Sequence, residues 1–293
     1  MRGRWGAAGV VLLLVVATGA AVGAARAADD QTRERAAKIV VQIQRADYQG
    51  DRAALKRLYA DLPPDVGEEE TASRVRYWRG FAMWRRAING FNDSVDPKEL
   101  QQDLEGGIAE FNEALKRDPG FADAKIGIVS SLGYLMYIHR AEQDQLQGYM
   151  AKVQPVLQEL KDSATDNPRF YWVMGPLYWR QPAERGGGQA KAFEAMQKGL
   201  ELARKQKGAA SDPLEPSWGE PELLMAEAWY YQNAAEPDLD AAEKDARAAL
   251  TLVPDWHYVR DILLPQIEEA KTKKKSADKE EGEMRGTESR RKG

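Results

Sequence analysis

Cysteine is absent from the 293 residues. Its absence removes disulfide frames, thiol nucleophiles and cysteine-bearing metal sites, so stability has to come from burial. Histidine is nearly absent: His139 and His257 stand alone, far apart, and form no paired ligand motif. Strand patterning is scarce, since Val, Ile and Thr do not alternate with polar residues over useful lengths. No serine sits in a GxSxG or SxxK context. Arg185-Gly186-Gly187-Gly188 precedes a helix, but it lacks the Lys-Ser/Thr of a nucleotide loop and follows no strand, so it reads as a turn. What remains for chemistry is carboxylates. Glu68, Glu69, Glu70, Asp212, Glu215, Glu220 and Glu222 offer a pair for glycoside hydrolysis only as a distant alternative. The expectation is a non-enzymatic protein with no cofactor and no metal.

Long apolar runs are missing except at the start. Arg2 and Arg4 lead into VVLLLVVATGAAVGAA, which ends at Ala25-Arg26-Ala27. A positive start, a short apolar core and small residues two apart mark residues 1–27 as a cleavable signal peptide. A retained anchor is the alternative, but the run is Gly/Ala-rich and short for a span. Export to the periplasm or outside follows, with no membrane span after cleavage. Removing Arg2, Arg4 and Arg26 leaves 39 basic against 46 acidic residues, a net charge of about −7. That balance argues against nucleic acid or an anionic bilayer as partner. At the other end, residues 271–293 are charged and almost free of apolar side chains, so they are expected to be a disordered tail.

What is present, throughout residues 28–270, is helical periodicity. Apolar residues recur at three and four spacings between Pro, Gly and Asp clusters such as DLPPDVGEEE, NDSVDPKE, TDNPRF and RQPAERGGGQ. The pattern predicts helices over 31–48, 51–62, 70–90, 98–117, 121–140, 143–164, 168–181, 188–206, 219–234, 238–251 and 256–273. Three of them share a stripe of small residues. Gly107, Phe111, Ala114, Leu115 and Pro119 stand at the same offsets as Ala242, Ala246, Ala249, Leu250 and Pro254. Ala192, Met196, Gly199 and Leu200 repeat the core of it. Small side chains let helix backbones approach, and the proline ends the helix.

These stripes resemble the second helix of the tetratricopeptide repeat (TPR), a helix-turn-helix unit of about 34 residues. The resemblance implies an all-α, right-handed TPR-like α-solenoid of about five helix pairs plus a C-terminal capping helix. The small positions are not evenly spaced, so several loops must be lengthened, and Pro155, Pro176 and Pro265 fall in or near helices. NPRFYWVMGPLYWRQPAERGGGQAKA and PSWGEPE also look like periplasmic TPR subunits associated with tripartite transporters.

A solenoid implies a concave face lined by first helices. Counting from the small residues Gly80, Val129, Gly175 and Ala226, one helix face carries Tyr77, Trp84, Arg85, Tyr134, Trp172, Trp179, Arg180, Tyr230 and Tyr231. Aromatic and arginine side chains dominate contact energetics at binding surfaces. The same spacing also describes rings that fill the space between helices, and both readings stay open at this point. The expected function is an exported scaffold or adaptor that binds a protein or peptide partner through this face. A small apolar ligand, handled for a transporter, is the alternative.

Overall fold

The computed structural model describes residues 30–206 and 212–291. The expected signal peptide lies outside them. Among the described residues every regular element is helical. Helix α1 covers residues 30–48, and α2 Arg52–Asp61, α3 Glu69–Asn92, α4 Pro97–Arg117, α5 Ala122–Ile138 and α6 Gln143–Ser163 follow. Then come α7 Pro168–Arg180, α8 Gln189–Gln206, α9 Glu220–Asn233, α10 Leu239–Leu252 and α11 Leu264–Arg291. None of them is long and apolar enough to cross a membrane.

The turn chemistry explains where they begin. Asp96 and Asn167 accept hydrogen bonds from the backbone N–H groups of Lys98 and Arg169, and each is followed by proline at the first helical position. Proline costs nothing there, because that N–H has no partner inside the helix. Asp51 and Asp238 cap α2 and α10 in the same way. Pro155 and Pro176 lie inside α6 and α7. Pro265 follows a π-helical turn over Tyr258–Leu263. In the Arg185–Gly188 stretch, Gly186 and Gly188 take positive φ of 83° and 96°, which fits a turn.

From α2 to α6 and from α7 to α11 each helix packs against the next, and α3, α5, α7 and α9 also touch one another in that order. They form an inner layer. The small-residue stripes face inward as the close-approach argument requires: Ala192, Ala242, Ala246 and Ala249 are all buried. Between α3 and α4 the backbones nearly touch. A Cβ on Gly80 would lie 2.7 Å from the Phe111 ring and 3.0 Å from the Gly107 carbonyl oxygen.

Two features depart from the sequence reading. Helix α11 continues through Arg291, across the segment expected to be a disordered tail. Beyond residue 270 it is held first by Lys271, which pairs with Asp240 and Glu243 at 2.5 and 2.6 Å, and then by the Lys273–Glu269 pair. The second departure is that α1 meets the later part of the chain. Arg33 in α1 pairs with Asp212, the Tyr48 hydroxyl donates to Glu222 at the start of α9 (2.7 Å), and the Tyr48 ring packs edge-on against Trp256 at 5.1 Å. The inner layer is therefore closed, with α1 laid along the segment that leads into α9.

Candidate functional site

Closure decides the fate of the nine aromatic and arginine residues read from the sequence. Tyr77 and Trp84 are fully buried, and Arg85, Trp172 and Tyr230 are 4, 9 and 3 % exposed. For Tyr77, Trp84, Arg85 and Trp172 the cover comes from two elements whose helical pattern gave no hint of it. One is the segment before α9. Its Trp218 packs at 5.6–5.8 Å against Phe81, Trp84 and Trp172, and its indole N–H donates to the Tyr77 hydroxyl at 2.8 Å. That segment is pinned by Trp78, whose indole donates to the Leu214 carbonyl (2.7 Å), and by Arg169, which pairs with Asp123 and donates to the Trp218 carbonyl (2.9 Å). The other cover is α1. Its Asp47 takes the Arg85 guanidinium at 2.7 Å and the Asn89 amide at 3.1 Å, all out of water. The expectation that Tyr77, Trp84, Arg85, Trp172 and Tyr230 line an open groove is corrected: all five are buried, Tyr77, Trp84 and Trp172 against Trp218, Arg85 against Asp47 of α1, and Tyr230 among Trp179, Trp229 and Phe193.

Four of the nine stay at the surface. Trp179, Tyr134 and Tyr231 are half-buried and Arg180 is exposed. Each lies toward the C-terminal end of its helix: Tyr134 in α5, Trp179 and Arg180 in α7, Tyr231 in α9. The Trp179 ring stacks on the Tyr230 ring at 4.6 Å with the planes 14° apart, and Trp229 and Phe193 close around them at 5.8 and 6.0 Å. Tyr231 rests on Phe193 at 4.6 Å. Phe91, at the end of α3, packs on Tyr134 at 5.1 Å. Tyr258, at the start of the π-helical turn, is half-buried; burial pushes its hydroxyl up to about 12, with the Tyr134 phenol adding to the rise.

Burial dominates the electrostatics of these phenols. Burial raises the Tyr134 hydroxyl above the usual phenol range, against the pull of the Arg85 and Arg180 charges. Burial also raises Tyr230, again with Arg180 acting in the opposite direction. The Tyr230 hydroxyl is buried without a hydrogen-bond partner. It occupies the space that a Cβ on Gly175 would need, 2.7 Å away. The sequence reading found Trp179, Arg180 and Tyr134. It missed Phe91 and Tyr258, since neither falls on the counted face. Trp218 of PSWGEPE was visible only within a loop and within the transporter-subunit resemblance, and Tyr258 only as part of the closing helix.

Three of the carboxylates considered for glycoside hydrolysis are engaged in contacts that hold other elements together. Asp212 pairs with Arg33, Glu215 pairs with Arg74, and Glu222 accepts from Tyr48 and from the Gly219 backbone N–H. His139 bridges Glu142 and Gln101, and His257 contacts Asp261. Among the described residues no group of His, Asp and Glu has the arrangement of a metal site.

No protein-family model matches the chain, and no curated protein sequence does. A solved structure is similar in fold. It is the HusA haemophore from Porphyromonas gingivalis, 17 % identical, with a TM-score of 0.54 over 70 % of this chain and 95 % of that one. At this identity the likeness concerns the fold.

Proposed function

We propose that this protein is an exported, non-enzymatic binding protein that holds a flat, apolar small ligand at the mouth formed by Trp179, Tyr230, Tyr134 and Tyr258. Its architecture is read as a right-handed, TPR-like stack of helix pairs whose first helices line the inside and whose ends have closed on each other. Two features support the repeat reading: the buried alanine and glycine stripes, and the alternation in which each odd-numbered inner helix packs on the next. Export rests on the composition of residues 1–27.

The observation that carries the ligand reading is the Trp179–Tyr230 stack, walled by Trp229 and Phe193 and left half-open on one side. Stacked aromatic pairs with an accessible face bind planar rings by continuing the stack. The similar haemophore, a haem carrier by its title, agrees with a carrier of flat apolar cargo. A peptide scaffold has less support, because Trp218 and α1 occupy the face it would use.

Fluorescence titration with N-phenyl-1-naphthylamine, a flat uncharged dye, tests the reading. The expected result is saturable one-to-one binding that weakens by about fivefold in Trp179→Ala, the worth of one aromatic stack. Absence of saturation, or binding indifferent to Trp179→Ala, would remove the mouth as the site.

A further inference from the structure

Helices α4 and α6 stand on either side of α5, and a cavity of about 420 Å³ lies between them. Leu132 and Leu135 of α5 floor it, and both are buried. Gln101 and Glu105 of α4 form one wall, Tyr149 and Lys152 of α6 the other. None of these residues belongs to the mouth at Trp179. His139, 8 % exposed, ties the two walls together: its Nε2 meets the Gln101 Oε1 at 3.1 Å, its Nδ1 meets Glu142 at 2.8 Å, and its ring lies 5.7 Å from the Tyr149 ring. We propose that this cavity is a second binding site, for a small zwitterion with an aliphatic body, of the amino-acid class.

Three observations carry it. The first is the pair of charges. Glu105 and Lys152 face one cavity from opposite walls, and among the described residues neither has an ion-pair partner, the other included. Lys152 touches only the Tyr149 ring, at 5.6 Å. Glu142, the other carboxylate whose charge reaches the Tyr149 hydroxyl, is taken by His139. The second is a relay that sets the Glu105 side chain. The Gln101 amide nitrogen donates to Glu105 Oε1 at 2.8 Å while its oxygen is turned to His139, which leaves Glu105 Oε2 without a protein donor. The third is Gly148, inside α6 and on the cavity wall. Glycine is unfavourable within a helix. At Gly80 a close helix contact explains it, but a Cβ at Gly148 would meet nothing within 4 Å. Its effect is to leave the space over the leucine floor empty. The volume falls in the range of small-molecule sites. An ammonium group complements Glu105, a carboxylate complements Lys152, and an aliphatic side chain covers Leu132 and Leu135. A ligand with only one charge leaves the opposite wall charge facing its apolar part, so the two walls together select for a zwitterion.

Isothermal titration calorimetry of the mature chain tests it with a matched set of probes. L-Leucine and 6-aminohexanoate carry both charges, on one carbon or at two ends of a chain. 3-Methylbutylamine is leucine without its carboxylate, and 4-methylpentanoate is leucine without its ammonium. At least one of the two zwitterions is expected to bind one-to-one, and at least about tenfold more tightly than either singly charged probe. Glu105→Gln and Lys152→Met should each weaken that zwitterion by about tenfold, and Trp179→Ala should leave it unchanged. Gly148→Leu separates a site from a fold defect. It puts a strong helix former into α6, so the melting temperature should rise, while its side chain fills the cavity and zwitterion binding is lost. Saturable binding of neither zwitterion overturns the proposal. So does a singly charged probe that binds as tightly, because one wall charge would then do nothing. Zwitterion binding that survives Glu105→Gln or Gly148→Leu, or that fails in Trp179→Ala, overturns it by placing the ligand elsewhere. The dye titration at the mouth is independent of every one of these outcomes.

Discussion

Arg85 and Arg180 occupy the same place in their helices, five residues beyond the small residues Gly80 and Gly175, and meet opposite fates. Arg85 is buried against Asp47 and Asn89 and helps to lock α1 onto α3. Arg180 ends α7 in solvent with no acidic partner among the described residues. Trp84 and Trp179 repeat the contrast one residue earlier: Trp84 lies beneath Trp218, and Trp179 keeps an open edge. The two helix faces are alike in sequence. What separates them is which later or earlier segment of chain comes to lie on top. A residue pattern therefore prescribes a sticky face, and the remaining chain decides whether that face becomes core or site.

The comparison breaks most easily at its buried end. Arg85→Met leaves the Asp47 carboxylate out of water without its ion-pair partner, and losing one member of a buried pair costs about 3–5 kcal/mol. Urea denaturation is expected to show that loss. A loss below about 1 kcal/mol would mean that Asp47 reaches water and that α1 does not seal the centre.

Two glycines sharpen the contrast next. Gly80→Ala forces a methyl against the Phe111 ring and the Gly107 carbonyl, neither of which can retreat, and overpacking of this kind costs about 1–3 kcal/mol. Gly175→Ala meets the flexible end of Met196 at 2.4 Å and the Tyr230 hydroxyl at 2.7 Å. It should cost less stability than Gly80→Ala but disturb the Trp179–Tyr230 stack, so the neutral dye loses affinity. The reverse ranking in thermal melts would place the close helix contact at the mouth and not at the centre.

A third prediction concerns Glu227, which shares α9 with Tyr230. It is 6 % exposed, and burial, reinforced by the Asp245 charge, pushes its carboxyl up to about 7 against the weaker pull of Arg204 and Lys244. A carboxyl with a folded-state value above its unfolded one takes up a proton on folding. Its contribution is therefore most favourable at acid pH and is eroded as pH rises from about 4.5 through about 7. Glu227→Gln should stabilise the protein by about 1–2 kcal/mol at pH 8.5 and by almost nothing at pH 5. Melting temperatures measured across that range check it, and a pH-independent difference would refute the buried-acid assignment.

The smallest effect belongs to the exposed end. Arg180→Met should change stability by less than about 0.5 kcal/mol, as for other surface substitutions. A larger loss in the same urea titration would make Arg180 a structural residue and erase its contrast with Arg85.

Much of the fold was legible in the sequence, because helix starts and stops are local. Asp96-Pro97 and Asn167-Pro168 announce caps, and the alanines of α10 announce close packing. The site was legible only in part. Trp179, Arg180 and Tyr134 lie on the counted face, but nothing local distinguishes them from Trp84, Arg85 and Tyr77. The distinction is made by Trp218 and Asp47, whose partners Tyr77 and Arg85 are 141 and 38 residues away. Such contacts join segments with no shared periodicity, so counting along one helix cannot find them. Tyr258 was missed for a related reason: it belongs to the closing helix, outside the repeat on which the count was based.

The most direct test follows the indole N–H resonances of the mature chain by heteronuclear NMR while N-phenyl-1-naphthylamine is added. The account predicts that the Trp179 signal moves first and furthest, with Trp229 following, while Trp78, Trp84 and Trp218 stay in place. Movement of Trp84 and Trp218 with Trp179 unmoved would contradict it, because the ligand would then have entered the centre that α1 and the Trp218 segment are said to close.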